Sequence, residues 1–440
     1  MRSRVVVVIA AAIVAPLAAL ATIVPAAPAT AAPATTVAYP PGATATRYTG
    51  LAFDACAAPS SSAILAWEES PYRALGVYIG GEERTCGQPN LTSAWLSSLT
   101  RRGWRLLPIW LGRQAPCTFR PEPVVRISAS LAPAQGAEAA RNAVAAARAL
   151  GMLPGSALYN DMEHYDVADT DCRTTVLRFL SGWTNELHRR GYLSGVYAHQ
   201  NSGAFHLAQV YTSTAYARPD ALWIARWDGS SALTGWPGIP DSRWAAHQRA
   251  KQYRGDHSET YGGVTINIDN DRVDAPVATA SVAYTVTSDT PLNARTGPAT
   301  SYPVVRSYDP GATLRVACQV TGMRVGTTAV WDLLVDGTYV SDLYVSTPSK
   351  TGYSRPLPRC ANPQQVAAPE TLSTRAGPGT SYPVVGSLTT GSLAWVICQA
   401  PGTTVGTTSV WDKLTDATWV SDYYVATPST TTFSPPMPRC

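Results

Sequence analysis

Residues 157–166, ALYNDMEHYD, decide the fold because they join a buried strand to two acids. Side chains alternate between the faces of a strand, so Tyr159, Asp161 and Glu163 share one face. A strand flanked by apolar chain carries two acids on one face either where that face meets water or where it forms a site. The strands around this one decide between the two.

Seven further β-prone runs lie within residues 45–275, and several are separated by amphipathic helical runs. One helix is predicted from about 174 to 190, and glycines that end helices before the next strand occur at Gly103, Gly151 and Gly191. Eight strands with helices between them in about 230 residues predict an α/β fold, a (β/α)8 TIM-type barrel over residues 48–277. A doubly wound open sheet is the alternative, although no G-x-G-x-x-G follows the first strand. The eight runs are TGLAFDA, LGVYIGG, RLLPIWLG, SALYNDME, LSGVYAHQ, ALWIARW, AKQYRG and VTINIDND.

Acids recur where these strands end, which in a TIM barrel is the catalytic mouth. Asp54, Asp161, Glu163 and Asp269 are therefore the predicted catalytic residues. Such a cluster suits glycosidic bond cleavage, because like charges keep one acid protonated while another stays ionised. Glu163 is the predicted proton donor since its side chain reaches further, and Asp161 the partner that orients or holds charge. The alternative is that these acids are solvated or paired with arginines such as Arg226.

Aromatic and polar residues on the same strands predict a substrate-binding surface. Sugar faces stack on aromatic rings, although core packing explains any single Trp equally well, and a lone His is more often structural. Asp54, Asp161, His199 and Asp269 could instead hold a metal, but no H-x-H pair strengthens that alternative, and no cofactor or metal is predicted. The predicted substrate-binding residues are Tyr78, Tyr197, His199, Trp223, Arg226, Trp227 and Tyr253.

The N-terminus has the pattern of an export signal over residues 1–32, followed by a Pro/Ala/Thr-rich linker over 33–47. An uncleaved anchor is the alternative. Cleavage removes two arginines, Arg2 and Arg4, and no acid, so the formal net charge falls from +4 to +2. This charge gives no case for nucleic acid or anionic lipid as a partner. The sequence therefore predicts a secreted, extracellular or wall-associated protein, without a membrane partner once the signal is removed.

Two repeats of 80 residues follow, over 281–360 and 361–440. Each is rich in short β-prone runs and turn residues, which predicts two small all-β barrels. An even number of cysteines in an exported chain predicts disulfides, and no C-x-x-C pair supports zinc. The repeat period favours pairing within each repeat over pairing between them, and sequence proximity favours the two pairs in the barrel. The predicted bonds are Cys318–Cys360, Cys398–Cys440, Cys56–Cys86 and Cys117–Cys172.

The motifs GLAFDACAAPS, YNDMEHYD, GVYAHQNSG, LWIARWDG and KQY…ETYGGVTINIDND resemble the glycoside-hydrolase-like domain of unknown function 1906, over roughly residues 48–275. They are also distantly similar to family 25 lysozymes, which cleave peptidoglycan. The resemblance implies a TIM barrel in which Glu163 matches the general acid, Asp161 its partner, and Asp54 and Asp269 the supporting acids. Four cysteines in the barrel and different loops depart from the lysozyme pattern.

LNARTGPATSYPVV and LSTRAGPGTSYPVV resemble bacterial SH3 domains, which in exported hydrolases often bind cell-wall peptides or glycan. The predicted function is hydrolysis of cell-wall glycan or peptidoglycan by a monomer whose SH3-like repeats raise its concentration at the wall. A non-catalytic wall-binding or glycan-binding protein and a metal-dependent hydrolase are the alternatives.

Overall fold

The computed structural model describes residues 45–245, 247–434 and 437–440, so the predicted signal and most of the linker lie outside the described residues. Eight strands form a closed barrel in chain order. They are β1 (Thr46–Asp54), β2 (Ala74–Gly80), β3 (Arg105–Trp110), β4 (Ala157–Met162), β5 (Leu193–His199), β6 (Ala221–Ala225), β7 (Arg249–Tyr261) and β8 (Val264–Val277). The α-helices are α1 (Ser61–Ala66), α2 (Ser93–Arg101), α3 (Ala132–Ala149), α4 (Thr170–Arg189) and α5 (Phe205–Gln209).

The prediction of an eight-stranded barrel is confirmed, but its last strand runs in the opposite direction from a (β/α)8 barrel. Strands β1 to β7 are parallel neighbours, whereas β8 is antiparallel to both β7 and β1. Gly262 and Gly263 between β7 and β8 have φ values of 54° and 76°. Two consecutive residues with positive φ make a tight hairpin turn, and a parallel strand would need a much longer crossover. The two glycines thus replace the last helical connection with a hairpin.

Helix α4 is the helix predicted over about 174–190. The side chain of Asp169 accepts hydrogen bonds from the backbone N–H groups of Asp171 and Cys172, which caps its first turn. Val176 and Trp183 lie at helical spacing and are fully buried. The amphipathic pattern therefore places one face of α4 in the core.

The interior of the barrel is filled by apolar side chains below the mouth, including Leu107, Tyr159 and Trp223. Trp395 and Ile397 of the second repeat belong to the same buried cluster. A Nη1–Oδ2 ion pair of 2.5 Å joins Arg47 of β1 to Asp416 of that repeat. The second repeat is thus packed against the barrel.

The C-terminal region consists of two six-stranded β-sheets with the same path, as predicted for two small all-β units. The first sheet contains β9 (Val282–Thr285), β10 (Leu292–Arg295), β11 (Val304–Tyr308), β12 (Thr313–Val325), β13 (Thr328–Leu334) and β14 (Tyr339–Ser341). The second contains β15 (Asn362–Gln365), β16 (Thr371–Arg375), β17 (Val384–Thr389), β18 (Leu393–Val405), β19 (Thr408–Leu414) and β20 (Trp419–Ser421).

Disulfides join the four pairs that the spacing predicts, which confirms both the barrel pairs and the pairs within each repeat. They are Cys56–Cys86, Cys117–Cys172, Cys318–Cys360 and Cys398–Cys440. Within the described ranges, no helix has the length and apolar character that crossing a membrane requires.

Candidate active site

The four acids predicted from the strand ends lie at the same mouth of the barrel. Asp54 ends β1, Asp161 lies in β4, and Glu163 follows β4 directly. Asp269 is paired in register with Asp54, because the first half of the antiparallel β8 lies beside the end of β1. Asp269 thus reaches the mouth from the middle of its strand and not from a strand end.

A cavity of about 290 Å³ opens at this mouth. Asp54, Glu163 and Asp269 line it, whereas Asp161 is only 2% exposed and lies deeper in the barrel. The side chain of Glu163 is 38% exposed, so of the two β4 acids it is the one that a bound molecule would meet. The other lining residues include Tyr78, Arg84, Leu111, Arg120, Trp227, Asp256, Asn267 and Ile268.

These acids hold protons more tightly than free carboxylic acids do. Burial, together with the charge of Asp269, raises the pKa of Asp54 to about 7. Burial raises the pKa of Asp161 well above its ordinary value, and the charge of Glu163 adds to this. The pKa values of Glu163 and Asp269 are also raised by burial. A carboxyl group with a pKa of about 7, as in Asp54, can donate and accept protons near neutral pH, as acid–base catalysis requires.

A fifth acid, Asp271, was not predicted as a site residue. It is fully buried and accepts a hydrogen bond of 3.0 Å from Nε1 of Trp223. Burial and the charge of Asp54 raise its pKa well above the ordinary range. The alternation of NIDND was the available signal, because it places Asp269 and Asp271 on the same face of β8.

Arg120 also belongs to the site and was not predicted, because it lies in a loop after β3 with no periodic pattern. Its Nη1 is 3.3 Å from Oε1 of Glu163, and its Nε is 3.5 Å from Oε2 of Glu83. The disulfide Cys117–Cys172 ties this loop to helix α4. The guanidinium lowers the pKa of Glu163 and so opposes the effect of burial.

Gln114 fixes the backbone at the end of β4. Its Nε2 donates to the carbonyl oxygen of Asp161 at 3.0 Å, and its Oε1 accepts from the N–H of Glu163 at 2.9 Å. Gln114 is itself fully buried. The backbone that carries both β4 acids is therefore held by side-chain hydrogen bonds as well as by the strand.

Some predicted substrate-binding residues lie at the cavity. Tyr78 and Trp227 line it, and Trp227 is 61% exposed. Tyr197 donates a hydrogen bond of 2.9 Å to Gln252, a buried residue of β7 that also bonds to the acids. His199 stacks on His164, the residue after Glu163, with a centroid distance of 4.1 Å.

Other predicted substrate contacts are placed differently. The prediction is wrong for Trp223, whose side chain is fully buried beneath the acids and cannot touch a bound molecule. Nε of Arg226 is 2.6 Å from Oδ2 of Asp228, so Arg226 does not pair with the cluster of acids. Tyr253, like Tyr197 and His199, is not among the residues that line the cavity.

The residues of the metal alternative do not assemble into a ligand set. Across residues 45–245, 247–434 and 437–440, one group of three His, Cys, Asp or Glu ligand atoms lies close enough to share an ion: Cys117, Asp169 and Cys172. Two of these three are joined in a disulfide. Asp54, Asp161, His199 and Asp269 form no such group.

Comparison with known proteins finds a family model that matches most of the barrel. Residues 65–273 match the family model described as the Rv2525c-like, glycoside hydrolase-like domain. The match contains Asp161, Glu163 and Asp269 and begins after Asp54. The uncharacterised protein YraJ of Bacillus subtilis (strain 168) is 39% identical over 70 residues, which are 13% of this chain and 59% of that protein.

Among solved structures, an uncharacterised protein of B. stearothermophilus is 19% identical, with a TM-score of 0.35 over 51% of this chain and 99% of that one. The muramidase of Acremonium alcalophilum is 15% identical, with a TM-score of 0.30 over 51% of this chain and 92% of that one. The spore cortex lytic enzyme SleM of Clostridium perfringens is 12% identical, with a TM-score of 0.36 over 66% of this chain and 95% of that one.

Proposed function

We propose that the chain, whose residues 65–273 form a glycoside hydrolase-like domain, hydrolyses glycosidic bonds of cell-wall glycan. The observation that carries the proposal is the gathering of Asp54, Asp161, Glu163 and Asp269 at one barrel mouth, each with a raised pKa. Glycosidic cleavage needs one carboxylic acid and one carboxylate beside the same bond. The resemblance of the sequence to wall-cleaving lysozymes favours peptidoglycan as the substrate.

In the proposed reaction, Glu163 donates a proton to the leaving glycosidic oxygen. The charge of Glu163 raises the pKa of Asp161, so the two acids favour holding a proton between them, and Glu163 is the member exposed to the cavity. Loss of that proton leaves negative charge on the pair, which stabilises the positive charge developing on the sugar ring. A water molecule then forms the new bond to the sugar carbon that has lost the leaving oxygen, and the proton of that water returns to the pair. Asp54, with a pKa of about 7, and Asp269 are the proposed supporting acids.

The two C-terminal repeats are the proposed wall-binding modules, and the protein is proposed to act outside the cell as a monomer. Two binding modules on one chain raise the local concentration of the barrel at the wall. Because the second repeat packs against the barrel, the position of the barrel mouth relative to that module is fixed.

Release of new reducing ends from purified peptidoglycan tests the proposal. The full chain is compared with Glu163→Gln, which keeps the size of the side chain but cannot donate a proton. Glu122→Gln is the matched control, because Glu122 lies on the Arg120 loop but is 64% exposed and pairs with Arg126. Release by the parent and the control but not by Glu163→Gln is expected. Saturable binding without release by any form would instead establish a wall-binding protein.

A further inference from the structure

Gln252 of β7 has no assigned role, yet its side chain joins both sides of the candidate site. It is 3% exposed. Its Nε2 donates to Oδ2 of Asp54 at 2.9 Å and to Oδ2 of Asp269 at 3.0 Å. Its Oε1 accepts from the hydroxyl of Tyr197 at 2.9 Å and from Nε1 of Trp227 at 2.7 Å. Both hydrogens and both lone pairs of the amide are therefore used.

The chemistry of the partners fixes which way this amide points. An indole N–H can only donate a hydrogen bond, so the atom of Gln252 that faces Trp227 must be the oxygen. The NH2 group is then left for the two carboxylates, which can only accept when they are ionised. Rotation of the amide by 180° would place its NH2 group against the N–H of Trp227 and its oxygen against the two carboxylates, so the observed orientation is the one that satisfies all four hydrogen bonds.

Trp227 is held from a second side by the same strand. A Cβ atom at Gly255 would lie 2.0 Å from Cζ2 of the indole. The ring therefore packs directly against the backbone of Gly255, which only a residue without a side chain allows. The indole is nevertheless 61% exposed and lines the cavity. Trp227 is thus a fixed, exposed ring at the rim of the cavity.

We propose that Gln252 is a positioning residue, which holds the indole of Trp227 and the carboxylates of Asp54 and Asp269 in one fixed arrangement. The inference rests on the proposed glycan hydrolysis, in which a sugar ring stacks on Trp227 while the acids act on the neighbouring bond. Reaction rates depend steeply on such geometry, because a displacement of about 1 Å can cost about 10²-fold in rate.

The acids need this positioning because they repel each other. Asp54 and Asp269 are paired in register at the mouth, and the charge of Asp269 disfavours ionisation of Asp54. The two N–H groups of Gln252 lie between them and stabilise the ionised forms. Without Gln252 the two carboxylates would turn apart, or Asp54 would hold its proton more tightly.

The test compares the full-length parent with Gln252→Met, which keeps the length and volume of the side chain but makes none of the four hydrogen bonds. Gln252→Glu is a second variant that retains the two bonds to Oε1. Gln248→Met is the matched control, because Gln248 lies just before the same strand and donates to the carbonyl of Asp220 at 2.6 Å, at the opposite end of the barrel.

For Gln252→Met we expect kcat on peptidoglycan to fall about 10²-fold and KM to rise, because both the acids and the sugar platform are displaced. We also expect the rising limb of the pH–rate profile to move to higher pH, since Gln252 lowers the pKa of Asp54 in the parent. A purely structural role would lower stability alone. A parental pH profile and KM in a folded Gln252→Met protein would overturn the proposal.

A second readout separates this inference from the proposed function. The carboxyl of Asp54 is titrated by NMR in selectively ¹³C-labelled parent and Gln252→Met proteins, with ¹⁹F-labelled Trp227 reporting the order of the indole. A higher Asp54 pKa together with a broadened indole signal supports positioning even if the parent cleaves no glycan. Unchanged titration and an unchanged indole signal overturn it whether or not the protein is a hydrolase.

Discussion

Asp412→Asn in the second repeat should make the protein more stable at neutral pH. Asp412 and Asp422 are both fully buried, and Nε2 of Gln399 donates to Oδ1 of each, at 2.8 and 3.0 Å. Burial and the charge of Asp422 raise the pKa of Asp412 to about 8. Asn keeps an oxygen for Gln399 and offers an N–H to Asp422 where the protonated acid offers an O–H. The variant therefore resembles the protonated parent but cannot ionise.

The sign of the effect follows from proton binding in the two states. The folded-state pKa of Asp412, about 8, lies above the ordinary value of 3.8, so the folded protein binds the proton more tightly. Its contribution to stability is fully present below about pH 4 and is lost as the pH rises towards 8. Between the ordinary pKa of 3.8 and pH 7 the free energy of unfolding therefore falls by at most about 4 kcal/mol, which is about 3 pH units at about 1.36 kcal/mol each. Asp412→Asn avoids this cost.

Urea unfolding followed by circular dichroism between pH 4 and pH 8.5 measures the effect. The free energies of unfolding of parent and variant should agree near pH 4 and separate steadily above it, with Asn the more stable. Asp309→Asn, at an exposed position of the first repeat, is the control and should follow the parent. A difference between Asp412→Asn and the parent that is the same at every pH would refute the reasoning.

Three further changes test the site. Trp227→Ala removes an exposed ring and should raise KM on peptidoglycan about 10-fold or more with an unchanged thermal midpoint, whereas an unchanged KM would show that the ring does not bind sugar. Arg120→Gln removes the charge that lowers the pKa of Glu163, so the falling limb of the pH–rate profile should move to higher pH; a limb that stays in place would exclude this coupling. Replacing both Cys117 and Cys172 with Ser should lower the free energy of unfolding by about 3–4 kcal/mol, as measured by chemical unfolding. It should also reduce turnover, because the disulfide holds the loop that carries Arg120. Turnover equal to that of the parent would argue against this second effect.

Much of the barrel could be predicted because its strands carry local signals. Each of the eight quoted runs overlaps a strand of the closed barrel. The direction of the last strand could not be predicted from its apolar pattern, because a strand reads alike in either direction. The direction of β8 is set by Gly262 and Gly263, because their positive φ values form a hairpin turn between β7 and β8.

Among the residues of the candidate site, some could likewise be predicted from the sequence and others could not. Asp161 and Glu163 could be predicted because alternation along a strand fixes which side chains share a face. Gln252 and Arg120 could not, because their partners depend on how an amide is turned and where an irregular loop passes. Trp223 was predicted as a substrate contact because the sequence does not distinguish the depth of a side chain within the barrel.

The most direct test of the account is digestion of purified peptidoglycan in H2¹⁸O by the full chain and by Glu163→Gln, with mass spectrometry of the soluble fragments. Hydrolysis of a glycosidic bond at the barrel mouth predicts fragments with one ¹⁸O at a new reducing end, produced by the parent and not by Glu163→Gln. Fragments without that label, or equal release by Glu163→Gln, would contradict it.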